Sequence, residues 1–187
     1  LDEFVCLVND PREDHPYGLT YTIEHLGNVV DGRAVKYLNL PIDEIKDLTI
    51  RQLLDGRPVW MGCDTSKQNH RNLGIWDAKL FDYESLYGSK FNMNKAMRLE
   101  YGQTAMTHAM VFTGVDVENG KPRKWRVENS YGKTVGDNGF YLMNDSWFDE
   151  YMFEIAAPKN YLTPERLAEF ENEPIVLPPW DPMGALA

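Results

Sequence analysis

Two polar side chains in the second half of the chain have the types and spacing of an acid–base pair. His108 lies near the start of one predicted strand, in residues 106–110, and Asn129 lies near the end of the next predicted strand. An imidazole titrates near neutral pH, so it can take a proton from a nucleophile and return it to a leaving group. A carboxamide oxygen that accepts from the other ring nitrogen fixes the ring without adding a charge. His108 and Asn129 are therefore candidates for a general acid–base and the side chain that orients it, although either residue alone is more often a packing or turn residue.

Such a pair needs a nucleophile, and the two cysteines of the chain are poor candidates. A thiol with a pKa of roughly 8.5 reacts as the thiolate, which positive neighbours favour. Cys63 instead precedes the negative Asp64, and Cys6 precedes Leu7 in an apolar run. We interpret both thiols as packing residues.

Three antiparallel strands are expected to carry the pair. Residues 106–115, 124–130 and 139–143 are short runs rich in Val, Phe, Trp and Tyr, separated by an Asn-Gly turn and a glycine-containing loop. His108 opens the first strand and Asn129 closes the second, so the two side chains should lie side by side. A further buried strand is predicted over residues 58–63.

Two helices have clear sequence signals. The first has Pro41 at its first position, acidic residues in its first turn and Gly56 at its end. The second opens with Thr163 as the N-cap and Pro164 at the first helical position. Asp145 is predicted to cap a short turn, and residues 151–156 are predicted to form another strand.

The remaining segments have weak periodicity. The first 40 residues suggest extended structure and loops, and residues 64–105 suggest a long excursion with one or two short helices. After Glu173 the chain contains four prolines, so we expect a tail that is neither a central strand nor a helix. Trp180, Met183 and Leu186 would be costly to leave in water, which predicts that the tail lies along a surface or in a groove.

The pattern around the pair resembles that of the papain-like cysteine proteases. There a strand-borne His precedes an Asn in an Asn-Ser-Trp-Gly string, and here Tyr131 replaces the Trp, an exchange expected to preserve packing. The resemblance implies that His108 is the general acid–base and that Asn129 orients it. Five segments are more specifically similar to the bleomycin hydrolase family of cysteine aminopeptidases. These segments are residues 5–12, 59–64, 92–96, 106–110 and 179–187.

The resemblance implies an α+β fold, the antiparallel and β-barrel-like half of a papain-like domain with helical excursions. Residues 1–173 would form the half that bears His and Asn, and residues 174–187 a Pro-rich C-terminal arm. In papain-like enzymes the nucleophile lies about 130–150 residues before the His, which here falls upstream of Leu1. The chain start is therefore expected to be a cut within a longer protein, and this chain alone is expected to be inactive.

The resemblance also implies a cytoplasmic homohexamer that removes amino-terminal residues from peptides. A papain-like groove is open at both ends, so an arm that fills one side would convert internal cleavage into exopeptidase cleavage. The carboxylate of Ala187 could pair with the α-ammonium of the substrate, and we predict Ala187 as a substrate-binding residue.

Composition excludes several other functions. The chain has 19 basic and 29 acidic residues, a net charge of −10 and no basic stripe, which argues against nucleic-acid binding. No apolar run approaches the roughly 18 residues of a membrane span. The 2 cysteines have neither a disulfide-framework nor a metal-ligand spacing, so we expect a reducing cytoplasm and no metal or cofactor.

Two alternatives stay open at this point. The chain could be a small thiol hydrolase with Cys63 as its nucleophile, which rapid iodoacetamide labelling at pH 6 would reveal. It could also be a non-catalytic assembly module that mediates subunit contacts. Its size in solution, and activity after mixing with the upstream half, would separate that alternative from the enzyme.

Overall fold

The structure, a computed structural model, describes residues 3–27, 29–32 and 34–186. Within those ranges it contains one eleven-stranded sheet and five α-helices. The strands are β1 (Phe4–Val8), β2 (Thr20–Ile23), β3 (Tyr37–Asn39), β4 (Val59–Cys63), β5 (Asn69–His70), β6 (Ile75–Trp76), β7 (His108–Glu118), β8 (Lys121–Glu128), β9 (Phe140–Asn144), β10 (Met152–Pro158) and β11 (Ile175–Leu177). The helices are α1 (Ile42–Leu54), α2 (Tyr83–Tyr87), α3 (Lys95–Glu100), α4 (Asp145–Tyr151) and α5 (Pro164–Glu171).

The sheet is mostly antiparallel. Its strand order is β11-β2-β3-β1-β10-β4-β7-β8-β9-β6-β5. Parallel pairing occurs between β1 and β3, between β11 and β2, and between β6 and β9. The expected α+β class is confirmed, and β4, β7 and β8 lie next to one another in the middle of the sheet.

The β7–β8 hairpin is longer than the sequence predicts. The runs expected to end at residue 115 and to begin at residue 124 continue to Glu118 and from Lys121. They meet in a two-residue turn in which Asn119 and Gly120 have φ angles of 52° and 77°, as a tight hairpin requires. Pro122 fits inside β8 because the register is irregular there, where a strand tolerates a missing donor.

The two predicted helices are present, with one difference in detail. Pro41 is the N-cap of α1 and has an extended ψ of 146°, so the helix begins one residue later than expected. Thr163 caps α5 by accepting a hydrogen bond from the Arg166 amide, as predicted. In the described part of the chain, no helix has the length and apolar character of a membrane span.

An aromatic core supports the strands that carry the candidate pair. Trp125 of β8 packs against Phe148 of α4 with ring centroids 4.7 Å apart, and Phe112 of β7 stacks on Phe148 at 5.5 Å. The Trp125 indole donates a 3.0 Å hydrogen bond to Asp145, which satisfies its one polar atom. All three aromatic side chains are fully buried, so β7 and β8 rest on a rigid layer.

The tail differs from the sequence expectation in two respects. Residues Pro182–Leu186 form a 3-10 helix, although no helix was expected, because Pro is compatible with a first helical position. Met183 and Leu186 are buried as expected, but Trp180 is 81% exposed. Trp180 lies in a turn closed by a hydrogen bond from the Asp181 amide to the Pro178 carbonyl, so it faces solvent. β11 pairs along the sheet edge, where prolines nearby are tolerated.

Candidate active site

The structure brings His108 and Asn129 together. His108 begins β7, and Asn129 follows β8 directly, at the same end of the antiparallel hairpin. His108 Nε2 lies 2.9 Å from Asn129 Oδ1. The Ser130 amide donates to the same oxygen at 2.7 Å, and the Asn129 amide donates to the Gly139 carbonyl at 3.1 Å. The carboxamide is therefore fixed by its own backbone before it contacts the imidazole.

This geometry determines the tautomer of His108. The Ser130 N–H can only donate, so the Asn129 atom that it meets is the carbonyl oxygen. An oxygen acceptor requires His108 Nε2 to carry a proton. In the neutral ring the lone pair is then on Nδ1, which is the nitrogen able to accept a proton from a nucleophile.

One aromatic side chain stacks on the ring of His108, and an arginine lies over that aromatic ring. The Tyr131 ring lies parallel to the imidazole, with centroids 5.2 Å apart and an interplanar angle of 8°. The Arg71 guanidinium lies 4.6 Å from the Tyr131 centroid. Stacking limits ring rotation, and an aromatic layer shields the hydrogen bond from water. Tyr131 has the packing role expected of the aromatic at that position, whereas no sequence signal identified Arg71.

A close contact between β4 and the segment before β7 fixes the position of the His108 backbone. A Cβ on Gly62 would lie 1.8 Å from Met106 Sδ, so only glycine allows Met106 its observed place. The Thr107 amide donates to the Cys63 carbonyl at 3.0 Å, and Cys63 pairs with His108 in the ladder. These contacts with β4 therefore fix the start of β7, the strand that carries the imidazole.

Neither cysteine has the environment of a nucleophile. Cys63 is fully buried, and its thiol points to the His108 carbonyl oxygen at 3.9 Å. Burial raises the pKa of Cys63 well above its usual value, and the charge of Asp64 adds to the shift. Burial and the nearby Glu154 raise the pKa of Cys6 to about 12. Both thiols are protonated at neutral pH, which favours their interpretation as packing residues.

The tail reaches the strand that carries His108. The Met106 amide donates a 2.8 Å hydrogen bond to the Ala185 carbonyl. A cavity of about 630 Å³ lies between the tail, the turn after β2 and the end of α3. Ala187, which the sequence predicts to bind substrate, lies outside the described residues.

A charged cluster beside the tail was not identified from the sequence. Ligand atoms of Asp10, His15 and Asp181 lie within 4.8 Å of one another, a spacing compatible with a metal ion. The Arg12 guanidinium lies among them, however, 2.6 Å from Asp10, 2.7 Å from Asp181 and 3.2 Å from His15 Nε2. A cation at this position would meet the positive charge of Arg12, so the cluster is an ion-pair network.

Comparison with known proteins places the chain in a family. Residues 1–184 match the model of the peptidase C1-like family. The chain is 43% identical over 187 residues to aminopeptidase C of Listeria innocua and 49% identical over 191 residues to bleomycin hydrolase of Gallus gallus. It is also 48% identical to PepW of Lactobacillus rhamnosis HN001, whose crystal structure superimposes with a TM-score of 0.96.

Each of these alignments covers 100% of this chain but only 42% of the other protein. The matched region is the C-terminal part of those relatives. Their names confirm the resemblance that segments such as residues 106–110 and 179–187 carry. The chain belongs to the peptidase C1-like family and is similar to the C-terminal part of its bleomycin hydrolase and aminopeptidase C members.

Proposed function

We propose that this chain is the His- and Asn-bearing part of a cysteine aminopeptidase of the bleomycin hydrolase type. The observation that carries the proposal is the 2.9 Å contact between His108 Nε2 and Asn129 Oδ1 at the mouth of the β7–β8 hairpin. Because Nε2 donates to Asn129, the lone pair of Nδ1 is available to a nucleophilic thiol. We propose that the upstream half of the full-length protein supplies that thiol. His108 and Asn129 are thus proposed as catalytic residues.

The proposed reaction has two stages, formation of a thioester and its hydrolysis, and His108 transfers protons in both. The upstream thiol gives its proton to His108 Nδ1, and the thiolate attacks the carbonyl carbon of the substrate amide. The imidazolium then protonates the leaving amine, and a thioester remains on the sulfur. His108 next removes a proton from water, and the hydroxide attacks the carbonyl carbon of the thioester. The C–S bond then breaks, the sulfur takes the proton back from His108, and the carboxylic acid leaves. Asn129 holds the ring through both stages because Oδ1 keeps accepting from Nε2.

Exopeptidase specificity is proposed to come from the tail. The Ala185 carbonyl is bonded to Met106, two residues before His108, so the residues after Ala185 start beside the catalytic strand. The carboxylate of Ala187 is proposed to pair with the free α-ammonium of a peptide. Such a charge pair, partly removed from water, favours substrates that place one residue between the ammonium and the scissile bond.

Assembly as a cytoplasmic homohexamer belongs to the same proposal. The excursion between β6 and α3 leaves Leu86 74%, Tyr87 68% and Phe91 60% exposed. Clusters of exposed apolar side chains usually contact other protein surfaces. The upstream half and neighbouring subunits are the proposed partners, and sedimentation of the full-length protein would give the subunit number.

The test uses the full-length protein, meaning this chain joined to the upstream half. We expect it to hydrolyse an aminoacyl amide and to leave the N-acetylated analogue intact, and we expect the 187-residue chain alone to hydrolyse neither. His108→Ala should abolish turnover. Full activity of the His108→Ala protein would contradict the proposal and favour the assembly module. Turnover by the isolated chain that Cys63→Ser abolishes would instead favour the small thiol hydrolase.

A further inference from the structure

We propose that Arg12 is a positioning residue that fixes the C-terminal segment at the active site through Asp181. In this way Arg12 determines how many residues from its amino terminus a peptide substrate is cut. The inference rests on the proposed aminopeptidase function and names residues that its chemical steps do not use.

Arg12 is held in place before it contacts the tail. Its side chain is buried, with the whole residue 6% exposed, and it binds Asp10 through Nε at 3.0 Å and Nη2 at 2.6 Å. Asp10 itself is fully buried and receives a further hydrogen bond from the Arg12 amide. Asn39 fixes the Asp10 backbone through two hydrogen bonds of 2.9 Å. The guanidinium is therefore a rigid, preformed donor at the end of β1.

Asp181 is the matching group on the tail. It is the only charged side chain in residues 174–187, so no other side chain there can form an ion pair with Arg12. Asp181 Oδ1 lies 2.7 Å from Arg12 Nη2, and Oδ2 lies 3.2 Å from His15 Nε2. The same carboxylate accepts from the Met183 amide at 2.8 Å, so the ion pair also caps the 3-10 helix Pro182–Leu186.

One helical turn connects this ion pair to the catalytic strand. The Gly184 amide donates to the Asp181 carbonyl, and the next residue, Ala185, accepts from Met106. Met183 and Leu186 are fully buried on the way, which fixes the turn from its other side. A slip of one residue would move the segment by about 2.0 Å along the 3-10 axis. The Arg12–Asp181 contact therefore sets where residues 182–186 lie relative to Met106 and the start of β7.

Loss of Asp181 should release the tail and leave the domain folded. Arg12 would keep its contacts with Asp10, so its charge would not be left unpaired. A purely structural network would behave differently, because it would affect stability without changing which bond is cut.

The experiment compares Asp181→Asn with the matched control Asp116→Asn in the full-length protein. Asp116 also pairs with an arginine, Arg123 at 2.9 Å, but at the exposed tip of the hairpin. Each protein is incubated with an unblocked decapeptide and with its N-acetylated copy, and the products are identified by mass spectrometry. We expect wild type and Asp116→Asn to release single residues from the free peptide only. Asp181→Asn should cut the acetylated peptide at least about ten-fold faster than wild type and release internal fragments.

Asp181→Glu keeps the charge but lengthens the side chain, and it tests the inference should Asp181→Asn fail to fold. We expect it to give a mixture of single residues and internal fragments. The inference would be overturned if the folded variants released the same single residues as wild type and left the acetylated peptide intact. Loss of all turnover in the folded variants would overturn it as well. Absence of aminopeptidase activity in wild type would instead overturn the proposed function itself.

Discussion

At the residue scale, the candidate site depends on a carboxamide whose oxygen accepts twice. Asn129 Oδ1 receives His108 Nε2 at 2.9 Å and the Ser130 amide at 2.7 Å. The backbone donor selects the oxygen, and the oxygen selects the imidazole tautomer. The strand-borne His and the Asn-Ser-Tyr-Gly string, together with their resemblance to papain-like proteases, were enough to predict that these two side chains meet. Both lie at the same end of one local hairpin.

Replacement of the carboxamide should slow the reaction without unfolding the protein. In the full-length protein, Asn129→Ala removes a hydrogen bond that strengthens when the imidazole becomes charged. We expect kcat/KM for an aminoacyl amide to fall by about 10- to 100-fold. Ser130→Ala is the matched control, because its contact comes from the backbone amide and persists. Equal losses in both variants would contradict an orienting role for the Asn129 side chain.

Other parts of the site could not be predicted from neighbouring residues. Arg71 covers Tyr131 from the long excursion, whose weak periodicity gave no signal for its path. Arg12 and Asp181 are 169 residues apart, so neither indicates the other in the sequence. Polar contacts between distant segments follow from the tertiary fold and not from a local pattern.

At the scale of helices and strands, the sequence predicted best those elements whose signals lie within a short stretch of chain. The capped helix α5, the apolar strand β4 and the β7–β8 hairpin each have periodicity or turn residues within a short window. β5 and β6 have two residues each, too few for an alternating pattern, and β11 joins the sheet by pairing with the distant β2. These elements form because partners are available in space, which one sequence does not reveal.

The packing of β4 under the segment before β7 can be tested by adding one methyl group. Gly62→Ala in the full-length protein would place a Cβ 1.8 Å from Met106 Sδ, so Met106 must move. We expect a loss of about 1–3 kcal/mol in the free energy of unfolding, together with reduced kcat because His108 follows closely. Urea denaturation and an aminoacyl-amide assay would measure the two effects.

Two further variants make that test specific. Gly114→Ala in β7 meets nothing nearer than Arg126 Cβ at 3.6 Å and should have a much smaller effect. Met106→Ala should restore much of the loss in the double variant with Gly62→Ala, because it removes the group that the new methyl meets. A strictly additive double variant would show that the contact is not the cause.

At the scale of the whole molecule, two buried ionisable groups should make stability depend on pH. Lys95 Nζ is bound only by neutral groups among the described contacts, Asn9 Oδ1 at 2.7 Å and the Met152 carbonyl. Burial lowers the pKa of Lys95 from 10.5 to about 7. Burial also raises the pKa of Glu154 from 4.5 to about 7. Both shifts disfavour the charged form in the folded protein.

The signs of the two effects are opposite. Between pH 4.5 and 7 folded Glu154 holds a proton that the unfolded chain has lost, so stability falls as the pH rises. Between pH 7 and 10.5 the unfolded chain holds a proton that folded Lys95 has lost, so stability rises. Together the two groups contribute a minimum near neutral pH.

Denaturation midpoints of the full-length protein at pH 5, 7 and 9 would measure both contributions. Glu154→Gln should remove part of the fall from pH 5 to 7, and Lys95→Met part of the rise from pH 7 to 9. Lys121→Met, at the exposed start of β8, should leave the profile unchanged. If stability depended on pH in the same way in wild type and all three variants, the titration of Glu154 and Lys95 would not be the cause.

The proposed mechanism requires His108 to activate a sulfur that lies outside this chain. Alkylation of the full-length protein by iodoacetamide at pH 6, with the labelled residue mapped by mass spectrometry, tests it most directly. We expect rapid labelling of one upstream cysteine, a large loss of that rate in His108→Ala, and no label on Cys6 or Cys63, whose raised pKa values keep them protonated. Rapid labelling of Cys63, or an upstream cysteine whose rate is the same without the imidazole, would contradict the account.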